Sequence, residues 1–284
     1  MKPFCYILFS AVFIILASCT LMPFKAASFS SHEISGDFLF DSAAVKDTGT
    51  VYHYLKSNID GSVPSDVYIY ITSPLSTESF KIYPGAATRK KTDLVVATYD
   101  SEYTCIKTIN AYFIYPDGKK ELNATGELIN GNTFGFTIKK PEKSYSVEVG
   151  YTPSFIYNFD FCDFFFMQKF LVNKEKNFDI GVVGLLTNLK FVYSGKANVF
   201  YMGNEIHDTI NCRKYLITGE AFNGKKGTLY INPENNFPVD FIMPVPNNPS
   251  FNSLRMHLME TFGKSPEEWK QFIIEQTKKI TGLL

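Results

Sequence analysis

Four histidines, His32, His53, His207 and His257, are where proton transfer or metal binding would start in this chain. None lies in an H-E-x-x-H motif. No two are spaced i, i+4, the spacing that sets two imidazoles on one helical face. The densest local group of potential ligands is Glu205-x-His207-Asp208, with Cys212 close behind. A zinc site needs three or four converging ligands. One short segment does not supply them, so Glu205 to Asp208 reads as a polar turn between strands, and no metal site is expected.

Nucleophilic chemistry has little to start from. There is no Gly-x-Ser-x-Gly elbow, no Walker A loop and no Rossmann glycine pattern. Asp160 and Asp163 flank Cys162, but the run Phe155 to Val172 around them is crowded with phenylalanine. Carboxylates in such a setting serve buried hydrogen bonds or helix caps more readily than acid–base work. No catalytic residue and no cofactor is assigned, and the chain is expected not to be an enzyme. An envelope hydrolase built on the His207 region is the weakest of three readings.

The thiols divide into two groups. Cys5 and Cys19 lie near the N-terminus, while Cys105, Cys162 and Cys212 lie in the body. The absence of C-x-x-C speaks against a thioredoxin-type site and a zinc knuckle. An exported compartment permits a disulfide among Cys105, Cys162 and Cys212. Spacing does not choose the pair, and inert buried thiols fit equally well. Lys plus Arg is 28 and Asp plus Glu is 28, so there is no positive excess with which to hold nucleic acid.

The elements that must position these groups are strands. Past residue 35 the apolar period is two. In Asp66 to Thr72, Val67, Ile69 and Ile71 alternate with Tyr68 and Tyr70. Similar runs are Gly49–Leu55, Ser79–Tyr83, Asp93–Tyr99, Tyr103–Tyr115, Lys119–Leu128, Thr133–Lys139 and Lys143–Tyr151. Leu189–Tyr201, Arg213–Glu220, Gly227–Asn232 and Val239–Met243 continue them. Turn signals punctuate the series at Asn58–Gly61, Pro116-Asp117-Gly118 and Gly224–Gly227. Pro244 to Pro249 reads as a connection into Phe251–Met259. Ser265-Pro266-Glu267-Glu268 is a capping box that opens an amphipathic helix with Trp269, Phe272, Ile273 and Ile280 on one face. The predicted fold is mainly β: a large antiparallel curved sheet, half-barrel or sandwich, with a C-terminal amphipathic helix. One β-rich domain over 35–284 is favoured, with a split near 150–178 as the alternative. A sheet apolar on both faces needs two covers, and the helix supplies one.

The N-terminus states an address. Lys2 precedes an apolar run from Phe4 to Ala17 that is interrupted by Ser10. At 14 residues this run is shorter than the roughly 20 that span a bilayer. It reads as a secretory signal. Leu16-Ala17-Ser18-Cys19 resembles the lipobox of bacterial lipoproteins. The resemblance implies a signal peptide over 1–18, cleavage between Ser18 and Cys19, and diacylglycerol with palmitate-type acyl chains on Cys19. Residues 19–34 then form a lipidated tether. The implied location is the bacterial cell envelope; Thr20, in place of Asp, points to the outer membrane where there are two.

Several phrases also resemble an uncharacterised group of exported bacterial proteins. They are Tyr54–Gly61, Phe159–Phe161, Tyr201–Glu205, Cys212–Tyr215 with Gly219, Gly227–Ile231 and Pro246-Asn247. That group's architecture is similar to the LolA and LolB half-barrels, which wrap a sheet around acyl chains. The resemblance implies a membrane partner through Cys19 and a hydrophobic ligand or an envelope protein as a second partner. The alternative is an assembly or adhesion scaffold without ligand. Substituting Cys19→Ser is expected to abolish lipidation and leave unprocessed precursor, as read by intact-mass spectrometry. A wild-type spectrum with an unmodified Cys19 would refute the anchor.

Overall fold

A computed structural model describes residues 47–83, 85–100, 105–130, 132–150, 154–156, 175, 177–185, 190–245 and 253–283. The signal, Ser18, Cys19, the tether and Cys162 lie outside the described residues. Strands β1 (Thr50–Asn58), β2 (Ser65–Ser73), β3 (Ser76–Ile82), β4 (Thr92–Asp100), β5 (Cys105–Ile114), β6 (Lys120–Asn130), β7 (Thr133–Lys139) and β8 (Glu142–Glu148) form one antiparallel meander. A short helix, α1 (Ala86–Arg89), links β3 to β4. After β9 (Ser154–Ile156), a second meander runs through β10 (Phe178–Leu185), β11 (Phe191–His207), β12 (Ile210–Gly219), β13 (Gly227–Ile231), β14 (Pro238–Pro244) and β15 (Ser253–Gly263). Helix α2 (Pro266–Ile280) follows.

Both meanders belong to one 15-stranded sheet in the order β8 to β1, then β15 to β9. The seam is β1 against β15, with Thr50 opposite Gly263 and Asn58 opposite Leu254. The predicted strands appear with shifted ends, and the turns at Asp60-Gly61 and Asp117-Gly118 lie where expected. At the second turn the Asp117 carboxylate accepts the Lys119 amide at 2.9 Å. Two expectations need correction. The sheet is not wholly antiparallel, because β9 pairs parallel with β10. The segment Phe251–Met259, into which the Pro244–Pro249 connection leads without an assigned element, carries most of β15. Its Leu254 and Met256 alternate inward with Arg255 and His257 outward, a period-two pattern that two large polar residues partly conceal.

The sheet cannot be flat. Laid flat, 15 strands would span about 67 Å at about 4.8 Å per strand. The chain passes from Glu148 on one edge strand to Ser154 on the other, and that stretch reaches about 20 Å at most. The edges must therefore come together, and the sheet rolls. Accordingly β8 lies against β11 and β9 against β5, without closing a ladder. Sheets of this size curl in any case, because the twist of each strand accumulates.

Rolling gives the sheet an inner and an outer face, and alternation assigns each side chain. Val67, Ile69 and Ile71 join the inner core, while Tyr68 and Tyr70 face outward. Inside, Tyr52 stacks on Phe237 at 3.4 Å and Phe136 on Phe191 at 4.0 Å. The second contact joins β7 to β11, from opposite halves of the sheet. Burying each such ring contributes about 1.5–3 kcal/mol. Outside, α2 covers Val51, Tyr68, Tyr70, Phe80 and Leu94. Its capping box forms as predicted: the Ser265 hydroxyl accepts the Glu268 amide, and the Glu268 carboxylate accepts the Ser265 amide at 2.7 Å. Trp269 is 1% exposed, and its indole N–H donates to Glu78 Oε2 at 2.7 Å.

Trp269→Ala is expected to cost about 3–5 kcal/mol in urea unfolding. As the single Trp, it should emit with a blue-shifted maximum and resist iodide quenching in the native protein. Red-shifted, freely quenched emission would show that α2 is not docked.

Candidate functional site

The outer face has two halves. One is sealed by α2. The other, from β15 to β11, carries the polar groups. The turn at its far end joins β11 to β12 through Asp208 and Thr209, both in the left-handed region at φ 47° and 69°. This is the geometry of a tight type I′ hairpin turn. Asp tolerates it; Thr, branched at Cβ, does not do so readily. Tertiary contacts must therefore help to hold the turn.

Those contacts come from across the sheet. β11 and β14 are three strands apart, about 14 Å in the plane of the ladder. Yet His207 Nε2 lies 3.1 Å from Asp240 Oδ2. The end of the hairpin therefore bends over the outer face, aided by the β-bulge between Tyr201 and Asn204. The His207 ring stacks on Tyr230 of β13 at 3.9 Å. Beside it, Lys214 and Tyr230 both donate to the Glu205 carboxylate, at 2.7 and 3.2 Å.

Asp240 is the centre of the group and is 1% exposed. A buried carboxylate needs charge and hydrogen bonds to replace water. Arg255 supplies both: Nε donates at 3.1 and 3.0 Å to the two oxygens, and a terminal nitrogen donates at 2.5 Å to Oδ2. The ion pair holds the Arg255 guanidinium pKa above its usual value. His257 sits opposite Asp240 in the β14–β15 register. Its Nδ1 lies 3.5 Å from Asp208 Oδ2 and 3.6 Å from Asp240 Oδ2. Asp208 Oδ2 is also 3.4 Å from His207 Nε2. The expected polar turn at Glu205–Asp208 is thus present, and the fold adds Asp240, Arg255 and His257 to it. A lone Asp in the apolar strand Pro238–Pro244, and Arg255 and His257 two apart in β15, were the available signals.

Cys212 belongs to the same face. It is a free thiol, fully buried on β12 opposite Glu205. Burial, then the nearby Asp208 charge, pushes its pKa up to about 11. The thiolate needed for nucleophilic attack is therefore scarce at neutral pH. Cys105 begins β5, with its side chain outside the described residues, as is all of Cys162. The disulfide expectation accordingly rests on groups beyond those described.

His53 makes a second polar knot near α2. Its Nε2 meets Asp66 at 2.9 Å and its Nδ1 meets Glu260 at 3.3 Å. Elsewhere, a groove of about 660 Å³ runs over the outer face of β5 to β8, lined by Thr108, Asn110, Thr125, Thr137 and Ser144. Ile129, Phe136 and Tyr145 share the lining with these polar groups. Among the described residues no helix is long and apolar enough to cross a membrane.

No protein-family model matches the sequence, and no curated protein matches it. Among solved structures the chain is similar to a DUF1329 family protein from Desulfovibrio piger, with 8% identity and a TM-score of 0.24. The match covers 79% of this chain and 89% of that one. At that level the likeness assigns no activity.

His53 gives a pH-dependent contribution to stability. Burial lowers its pKa, but hydrogen bonds and charges from Asp66 and Glu260 outweigh that and hold it above 6.5. A raised folded-state pKa stabilises fully below the unfolded value and fades as pH rises through the folded value. The stability gap between wild type and His53→Gln, from urea midpoints, should be larger at about pH 5.5 than at about pH 8.5. An equal gap at both would contradict the ion-pair geometry.

Proposed function

We propose that this chain is a lipid-anchored, non-enzymatic protein of the bacterial cell envelope that serves as an assembly scaffold, with its interior filled by its own side chains. The interior carries this reading. A lipid carrier of the half-barrel type needs a vacant apolar chamber. Here inner side chains from β7 and β11, near opposite ends of the sheet order, meet each other, as in Phe136 on Phe191. What remains for partners is the outside. Phe200, Met202 and Ile206 stand exposed along the β11–β12 hairpin, where an envelope protein can reach them.

Cys212, the thiol nearest the His207 region, is buried with a raised pKa, which speaks against its use as a nucleophile. The anchor rests on Leu16-Ala17-Ser18-Cys19. Lipid extraction of the purified mature protein followed by mass spectrometry tests the scaffold. Covalent acyl chains on Cys19, with no stoichiometric non-covalent lipid, are the expected result. About one equivalent of extractable lipid per chain would replace the scaffold with a carrier.

A further inference from the structure

We propose that His207, Asp208 and Asp240 form a three-ligand site for a divalent metal ion of the zinc class, with His257 beside it as a supporting group. The distances carry the proposal. Zinc bonds to imidazole nitrogen and carboxylate oxygen are about 2.0–2.1 Å long, so the edges of a regular tetrahedron of ligands are about 3.3 Å. His207 Nε2 lies 3.1 Å from Asp240 Oδ2 and 3.4 Å from Asp208 Oδ2, close to such an edge, and His257 Nδ1 stands 3.5 and 3.6 Å from the same two carboxylates. The three ligand atoms of His207, Asp208 and Asp240 all lie within 4.8 Å of one another.

Hydrogen bonding alone accounts for less of this arrangement. Nε2 of His207 carries at most one proton, yet two carboxylates approach it. His257 Nδ1 is buried and has no hydrogen-bond partner, although two carboxylate oxygens stand just beyond reach. A cation among His207, Asp208 and Asp240 satisfies those three groups together, with His257 Nδ1 beside two of its ligands. His53 supplies the contrast. Its two carboxylates approach opposite ring nitrogens and so do not converge on one point.

The surroundings fit a metal ligand set. Arg255 holds the Asp240 carboxylate in place, the outer-shell contact that orients metal ligands. Arg255 also offsets one of the two carboxylate charges, so the site without metal keeps a net negative charge when both imidazoles are neutral. An imidazole nitrogen beside two carboxylates suits zinc over calcium or magnesium, which prefer six or more oxygens. Three protein groups leave a fourth coordination position for water. The ion would tie the strained turn at Asp208–Thr209 to β14. This inference does not depend on the scaffold reading.

The test is cobalt(II) titration of the metal-stripped mature protein in detergent, followed by zinc(II) competition. The expected result is one equivalent bound, with the intense visible bands of four-coordinate cobalt, displaced by zinc. Asp208→Asn preserves a residue suited to the left-handed turn while removing a charged ligand. It and His257→Gln should each weaken binding at least about tenfold, as expected where one protein group of a metal site is removed. His53→Gln should leave binding unchanged. Pale six-coordinate cobalt in wild type, or equal affinity in Asp208→Asn and His257→Gln, would reduce the cluster to an ion-pair network. The wild-type spectrum decides the matter even if a variant fails to fold.

Discussion

The short passage between the edge strands governs this molecule. The chain leaves β8 at Glu148 and enters β9, at the opposite edge of the same 15-stranded sheet, at Ser154. No flat sheet satisfies that, so the two meanders roll toward each other about the β1–β15 seam. The roll decides which side chains are interior. It sets Phe136 of one meander on Phe191 of the other, and it places the helix and the histidines on the convex side.

Once the inner face packs on itself, the outer face has to be made compatible with water. One half does so by borrowing α2, whose Trp269, Phe272 and Ile273 cover aromatic residues of β2 and β3. The other half does so with charge. Asp240 is buried, Arg255 and His207 compensate it, and Tyr230 supports the imidazole from below. Such a network is worth little as a count of ion pairs, because desolvation offsets much of the attraction. Its value lies in position. It fixes the bent-over end of the β11–β12 hairpin, which the left-handed Thr209 would otherwise resist.

The thiol in the cluster has a raised pKa, and His207 and His257 meet Asp240, which already carries the Arg255 guanidinium. Groups so arranged hold a shape, or a metal ion, more readily than they move protons. A curved sheet with a pinned surface hairpin is suited to presenting a fixed surface.

The sequence by itself determined the local order. The alternation Val67, Ile69, Ile71 against Tyr68, Tyr70 fixed the faces of β2, because a strand has a period of two whatever surrounds it. Ser265 and Glu268 fixed the start of α2, because a capping box is satisfied within four residues. Asp117-Gly118 fixed a turn for the same local reason. Glu205 to Asp208 was legible as a polar turn, and Cys212 as its neighbour. Only the tertiary structure decided what that turn meets. Asp240 and His257 lie 33 and 50 residues beyond His207 in the sequence, and no spacing rule links them to it. They converge because β14 and β15 lie side by side and the hairpin folds over them, both consequences of the roll. The parallel pairing of β9 with β10 was equally hidden, since three residues of strand carry no sign of their partner. Local interactions are written in neighbouring residues; a site assembled from three strands exists only once the sheet has curved.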